Sequence, residues 1–237
     1  MKDDIQPKIA GSAAFAATFG VSRETLARLN LYESLLREWQ KHINLVANGT
    51  LDAVWHRHFA DSAQLARLIP AEARTIVDLG SGAGFPGLVL AIMRAGEHQV
   101  AAGHGPPAWG PDSMPKRVVL IESDHRKAAF MREVARQVGV AVEILSIRIE
   151  TLETQSKLAP VDVVCARALA PLDRLLGLAV PLFGDDTVGL FLKGQGAQAE
   201  VDVARRQWSF DVTLVPSVTA ADAGIAAIRK LRVRSGA

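Results

Sequence analysis

The segment TIVDLGSGAGFPGLVL, residues 75 to 90, constrains this chain more than any other stretch. A β-branched apolar run ends at Asp78, a glycine cluster follows at once, and an apolar helical pattern opens at Pro86. Strand, tight turn and helix in that order form the first half of a βαβ unit, an arrangement that holds nucleotide-like ligands. Gly80, Gly82 and Gly84 are spaced as GxGxG. Without a Cβ the backbone can take positive φ there and let a ligand lie against it. Pro86 suits the first turn of a helix, where its missing N–H costs nothing.

The glycines alone leave the ligand open. Gly82, Gly84 and Gly87 also spell GxGxxG, the dinucleotide pattern, and a glycine-rich turn can be purely structural. Asp78 weighs against a pyrophosphate, because a carboxylate two residues before the first glycine would repel it. The same carboxylate suits a ligand with an ammonium and a sulfonium, which describes S-adenosylmethionine; NAD is the alternative. No Gly-Lys-Ser/Thr follows, which excludes a Walker phosphate loop.

A length of 237 residues suits one α/β domain with an appended segment. The formal net charge is only +2, so an anionic partner would have to meet a local basic patch. A single cysteine rules out an intrachain disulfide and suits a reducing compartment. No apolar run approaches the ~20 residues a bilayer span needs. Residues 9 to 21 are weakly apolar and follow Asp3 and Asp4, which fits a helix of small residues better than a signal peptide. The expectation is a cytoplasmic protein with no membrane association and, since nothing suggests an obligate dimer, a monomer.

Ser22 can cap a helix, with Glu24 in its first turn where the dipole favours an acid. Leu26, Leu29, Leu36, Trp39, Ile43 and Val46 then recur at three- and four-residue spacing, with Tyr32 near the same stripe, as core packing would require. A second helical stretch is expected over 50–69, ending at Pro70. Residues 1–70 therefore read as a helical cap and 71–237 as a Rossmann-like domain. In that domain strands are expected at 75–78, 117–122, 140–145, 161–166, 187–192, 210–216 and 225–233. Helices are expected at 125–138, 172–182 and 197–208. Strands alternating with helices give a mostly parallel seven-stranded α/β sheet covered on both faces, with its ligand at the carboxyl ends of the strands. Residues 95–116, rich in glycine and proline, read as a loop. His98 and His104 lie in it without partners at ligand spacing, and no metal site is expected.

Glu122 ends the second strand, where such folds place a carboxylate on the ribose hydroxyls; the competing reading is an acid at the start of the following helix. Glu150 follows the third strand, where an adenine edge would lie, or it is a surface acid facing Arg148. Arg167, at the tip of an apolar strand, is costly to place unless it meets an anion, a methionyl carboxylate or an RNA phosphate. Cys165 lacks the preceding proline that marks the nucleophile of pyrimidine-carbon methylation and reads as packing. The Asn/Asp-Pro-Pro-aromatic motif of amino-group methylation is absent.

Several ordered motifs resemble those of the bacterial small-subunit ribosomal RNA methyltransferase G family. They are WQKHINLV at 39–46, RHFADS at 57–62, DLGSGAGFPG at 78–87, ESDHRKAAFMREV at 122–134, RIE at 148–150, ARALAPL at 166–172 and LKGQ at 192–195. The resemblance covers about residues 26–233. It implies a class I methyltransferase fold that uses S-adenosylmethionine to methylate N7 of one guanine in 16S ribosomal RNA. It also implies cofactor contacts from Gly80, Phe85, Ile149, Glu150 and Arg167, beside Asp78, Gly82, Gly84 and Glu122. The loop at 95–116 is longer than the family pattern.

Guanine N7 carries a lone pair and no proton, so its attack on a methyl group needs no general base, and in-line positioning can suffice. Arg167 is accordingly the one catalytic candidate, as a positioning residue. RNA presented as a single nucleotide is recognised by stacking and phosphate contacts, for which Arg57, His58, Arg126, Lys127, Arg167 and Lys193 are candidates. Asn44 and Asp61 could pin the cap to the sheet. The alternatives are a methyltransferase for another substrate class and a cofactor-binding RNA assembly protein without turnover.

Overall fold

The strands of this chain are short and nearly continuously apolar, as a sheet covered on both faces requires. A computed structural model describes residues 8–96, 117–151, 158 and 161–234. Within them lie β1 (Thr75–Leu79), β2 (Arg117–Ile121), β3 (Glu143–Leu145), β4 (Val163–Arg167), β5 (Val188–Lys193), β6 (Trp208–Pro216) and β7 (Gly224–Val233). The order across the sheet is β3-β2-β1-β4-β5-β7-β6. β1 to β5 are parallel, and β7 runs antiparallel between β5 and β6. Strand order reverses beside β1, with β2 on one side and β4 on the other, so a crevice opens above its carboxyl end.

Alternate residues of each strand face opposite layers. Ile76, Val118, Leu120 and Val163 join one cluster, while Val77, Val119, Ile121 and Val164 join the other. The first layer holds α4 (Gly87–Arg94), α5 (His125–Val138) and the N-terminal helices α1 (Ser12–Phe19) and α2 (Arg23–Trp39). Phe15, Leu29, Tyr32 and Leu36 of these helices share a continuous core with Leu88, Ile92 and Phe130. The second layer holds α6 (Leu172–Ala179) and α7 (Ala197–Ala204), with Leu172, Leu176 and Trp208 in its core.

Ser22 caps α2, its Oγ accepting the Thr25 N–H at 3.1 Å. The apolar stripe runs on to Val46, but the helix stops at Trp39. Gln40 Oε1 accepts the N–H groups of both Leu45 and Val46 at 3.0 Å, folding the chain back on itself. The stretch expected as a helix over 50–69 is helical in four unlike pieces. These are a 3₁₀ turn (Asn48–Ala53), a π-turn (Trp55–Ala60), α3 (Asp61–Ala63) and a second 3₁₀ turn (Gln64–Leu68).

Two further boundaries differ from the sequence reading. β3 covers only the last part of 140–145. The helix expected to reach residue 208 ends at Ala204, because Trp208 pairs with Val233 at the sheet edge and its indole N–H donates to the Asp173 carbonyl at 3.0 Å. Residues 97–116, which carry His98 and His104 and most of the expected loop, lie outside the described residues.

Candidate active site

The turn after β1 is built by hydrogen bonds that cross the sheet. Ser81 N–H donates to the Ile121 carbonyl at 3.0 Å, and the N–H groups of Gly84 and Phe85 both donate to the Ser81 carbonyl, at 2.7 and 3.0 Å. Gly80 sits at φ +66, a backbone conformation that selects glycine, while a Cβ there would meet only the movable end of the Leu169 side chain. Gly87 starts α4 hard against β1 and β2. A Cβ on it would collide with Leu120 and reach within 2.8 Å of Asp78.

Asp78 corrects an expectation. Its side chain is fully buried beneath the turn, where Oδ2 accepts the Gly87 N–H at 2.9 Å and Oδ1 has no hydrogen-bond partner among the described residues. Burial pushes its pKa up to about 6. The carboxylate is absent from the cavity wall, so it cannot face a ligand's ammonium or sulfonium and instead braces the start of α4. Gly84 also stands behind the wall, its Cα face against Tyr32 and Leu88. The Tyr32 hydroxyl donates to the Ala83 carbonyl, which ties α2 to the glycine turn.

A cavity of about 1010 Å³ opens above the carboxyl ends of the strands. One side is lined by Gly80, Gly82, Glu122, Ile149 and Glu150. Glu122 is pinned: Oε2 accepts the Gly82 N–H and Oε1 the Asp124 N–H, both at 2.8 Å. Asp124, not Glu122, is the cap of α5, its carboxylate accepting the Arg126 N–H at 2.8 Å.

The other side is formed by the cap and by the turn between β6 and β7. Arg167, at the end of β4, donates from Nη1 to the Arg57 carbonyl at 2.9 Å and lies 3.7 Å from Asp61 Oδ2. Its guanidinium carbon stands 4.9 Å from the centre of the Phe85 ring. The Phe85 ring is also stacked by Tyr32 at 5.3 Å and His58 at 5.0 Å, so neither face is open to a base. Only 17% of the Arg167 side chain is exposed. A guanidinium carries five N–H donors, and these contacts leave some of them unused. Ala168, the next residue, holds φ +52 at the same wall, a strained value for a residue with a Cβ.

The cations named from sequence divide in the structure. Arg57 and Lys127 line the cavity, Arg57 exposed. His58 also lines it but is 7% exposed, and burial, then Arg167 and Arg57, drive its pKa down to about 3, so it is neutral. Thr50 Oγ1 donates to the Ala47 carbonyl and so must accept from His58 Nε2 at 2.7 Å; the lone pair is then on Nδ1, which is buried without a partner among the described residues. Lys193 lines the cavity with its charge already used, Nζ standing 2.8 Å from the Ala170 carbonyl and 2.9 Å from Glu200. A phosphate contact from Lys193 is therefore disfavoured. Arg126 lies off the wall, exposed and paired with Asp124 at 3.4 Å.

Asp61 joins cap to sheet as expected, accepting from Thr219 Oγ1 at 2.8 Å, whereas Asn44 accepts from Gln40 within the cap at 3.5 Å. Burial raises the Asp61 pKa despite the neighbouring Arg167. Cys165 is fully buried, and burial with the adjacent Asp78 pushes its thiol pKa well up, which fits packing rather than nucleophilic attack. The sequence reading missed Arg174 and the wall residues Ser217, Thr219 and Asp222. Nothing local marks the last three, which only the antiparallel return of β7 brings to the carboxyl end of β5, while Arg174 projects from α6.

A parallel sheet of this order, ending in an antiparallel strand pair, with a glycine turn after β1 and an acid after β2, defines a Rossmann-like methyltransferase fold. A methyltransferase from Geobacter sulfurreducens shares it at a TM-score of 0.52 and 15% identity, over 86% of this chain and 88% of that one. So does an O-methyltransferase from Bacillus cereus in complex with SAH, at 0.51 and 13%, over 88% and 91%. The chain belongs to the rRNA small subunit methyltransferase G family, whose model matches residues 25–102 and 110–229. Proteins named Ribosomal RNA small subunit methyltransferase G are similar to it in Parvibaculum lavamentivorans, 48% identical over 97% of this chain and 94% of the relative. The counterpart from Rhodospirillum centenum is 50% identical over 86% and 84%. The break in the family match, between residues 102 and 110, falls inside the stretch 95–116.

Proposed function

We propose that this chain transfers the methyl group of S-adenosylmethionine to N7 of one guanine in 16S ribosomal RNA, acting in the cytoplasm as a monomer on the RNA or the small subunit. Residues 1–70 act as a helical cap over a methyltransferase domain of residues 71–237. The observation that carries the reading is the family match across a cavity that runs from the glycine turn to a pocket beneath the cap.

The wall beside the turn fits the cofactor. A Cβ on Gly82 would meet no atom closer than 3.9 Å, so the turn offers open space for a ligand against its backbone. Glu122 spends one lone pair of each oxygen on backbone N–H groups and keeps the others for two ribose hydroxyls. Ile149 and the exposed Glu150 stand where the adenine would lie. The unused donors of Arg167 suit the methionyl carboxylate. Bound S-adenosylmethionine supplies a methyl group on a positively charged sulfur, which leaves with the bonding electrons as the N7 lone pair attacks.

N7 has no proton to lose, so the chain's work is alignment and exclusion of water. His58 is held neutral against Phe85, which avoids a second positive charge beside a base that becomes cationic as it is methylated. Arg57, Lys127, Arg148 and Arg174 line the cavity and can meet RNA phosphates.

The test is transfer of labelled methyl from S-adenosylmethionine to unmodified 16S RNA and to small subunits, followed by nucleoside mass spectrometry. N7-methylguanosine at a single position is the expected product. Incorporation into protein or small molecules instead, or cofactor binding with no incorporation, would overturn the reading.

A further inference from the structure

Among the described residues four carboxylates line the cavity: Asp61, Glu122, Glu150 and Asp222. Asp61 and Glu122 are tied down by the hydrogen bonds described above. Among the described residues, Glu150 and Asp222 have no hydrogen-bond or ion-pair partner. Glu150 belongs to the proposed adenine end. Asp222 stands on the far side, in the turn between β6 and β7, and nothing so far explains it. A free carboxylate in a cavity that receives a polyanion is unfavourable unless hydrogen-bond donors meet it there.

The turn that carries Asp222 is rigidly built. Ser217 N–H donates to the Ala223 carbonyl at 3.0 Å and Ala223 N–H to the Ala220 carbonyl at 3.1 Å, closing it. The cap then clamps it from three residues. His56 Nε2 donates to the Thr219 carbonyl at 2.8 Å, Gln64 Oε1 accepts the Val218 N–H at 2.9 Å, and Asp61 holds the Thr219 hydroxyl. So many bonds fix the backbone of the turn and leave its one acid exposed and unpaired on the cavity wall. Such a group is pre-positioned for a ligand that brings its own donors.

Guanine brings them. Its N1–H and N2–H₂ lie side by side on the edge remote from N7, and a carboxylate accepts both at once. Adenine presents an acceptor at N1 and would be repelled. The β6–β7 turn and the glycine turn stand at the same end of the sheet, three strand positions apart in the order β1-β4-β5-β7. That places them roughly 14 Å apart, room for a purine and the bonds on either side of it.

We propose that Asp222 is the specificity-determining residue for the acceptor base, its two oxygens accepting N1–H and N2–H of the target guanine while N7 points away toward the methyl donor. This rests on the guanine-N7 reading above. Asp222 has no folding partner among the described residues, so Asp222→Ala and Asp222→Asn should keep the native melting temperature and cofactor affinity by calorimetry.

The deciding experiment uses full-length chain and ligated 16S RNA with either guanosine or inosine at the methylated position. Inosine keeps N7, O6 and N1–H but lacks the N2 amino group. The native chain should prefer guanosine on the order of tenfold or more in kcat/KM. Asp222→Ala should be slower on guanosine by a similar factor and should no longer distinguish the two bases, with Asp222→Asn between. An unchanged guanosine-to-inosine ratio in Asp222→Ala would overturn the assignment while leaving the function intact. Failure of the native chain to form N7-methylguanosine at all would overturn both.

Discussion

At the scale of single residues, the most consequential group is a buried acid that never touches the cavity. Asp78 looked from sequence like a ligand contact because its position in the chain, two residues before Gly80, is the right one. What sequence could not show is that Gly87 comes so close to β1 that its N–H takes the carboxylate for itself. Burial raises the Asp78 pKa from 3.8 to about 6. In the unfolded chain the proton leaves near the ordinary value, while the folded chain keeps it until about pH 6. The folded state therefore binds the extra proton across that window, and stability falls as pH rises through it, by a total of about 3 kcal/mol, then stays level. Asp78→Asn retains an oxygen for the Gly87 N–H and removes the titration. Urea midpoints of the native chain and this variant, compared at about pH 4 and about pH 7, should show the variant gaining on the native chain at the higher pH. A gap independent of pH would show that Asp78 does not carry a buried proton.

At the scale of elements, α2 does two jobs with one face. Its stripe was legible because Ser22, Glu24 and the three- and four-residue spacing are local signals of a capped amphipathic helix. That Tyr32 sits near this stripe was also legible, but its hydroxyl was not, since the acceptor is the carbonyl of Ala83, far along the chain. Tyr32→Phe keeps the stacking on Phe85 and leaves that buried carbonyl without its donor. The expected cost is about 1–2 kcal/mol of stability, with a weaker cofactor affinity by calorimetry because the glycine turn loses its tie to the cap. Unchanged values for both would mean the bond contributes nothing. Two features that sequence missed share one cause. The early end of α7 is decided by the pairing of Trp208 with Val233, remote in the chain, and the place of the correctly expected 217–223 turn on the cavity wall by its bonds to the cap, neither of which periodicity registers. The glycine turn and β1, β2 and α5 were legible because strand pattern, turn residues and cap are contiguous.

At the scale of the whole molecule, the cap is part of the hydrophobic core rather than a lid laid on a finished domain. Phe15, Leu29, Tyr32, Leu36 and Phe59 pack in the same cluster as Leu88, Ile92 and Phe130, all buried. Deleting residues 1–70 would expose that layer of α4 and α5 and remove the clamp on the β6–β7 turn. A cap bonded so widely to the sheet should also unfold with it. Trp55 reports on the cap, where its indole N–H donates to Glu33 at 2.6 Å, and Trp208 reports on the far edge of the sheet. Two variants, each keeping only one of these tryptophans, should give coincident urea transitions by fluorescence, superimposed on the loss of helix by circular dichroism. Saturating S-adenosylmethionine should move both probes together, by about 2.7 kcal/mol at a hundredfold excess over its dissociation constant. Separate midpoints, with the cofactor shifting only the Trp208 transition, would show that the cap folds on its own. The shared core would then not couple the pocket beneath the cap to the cofactor side of the cavity.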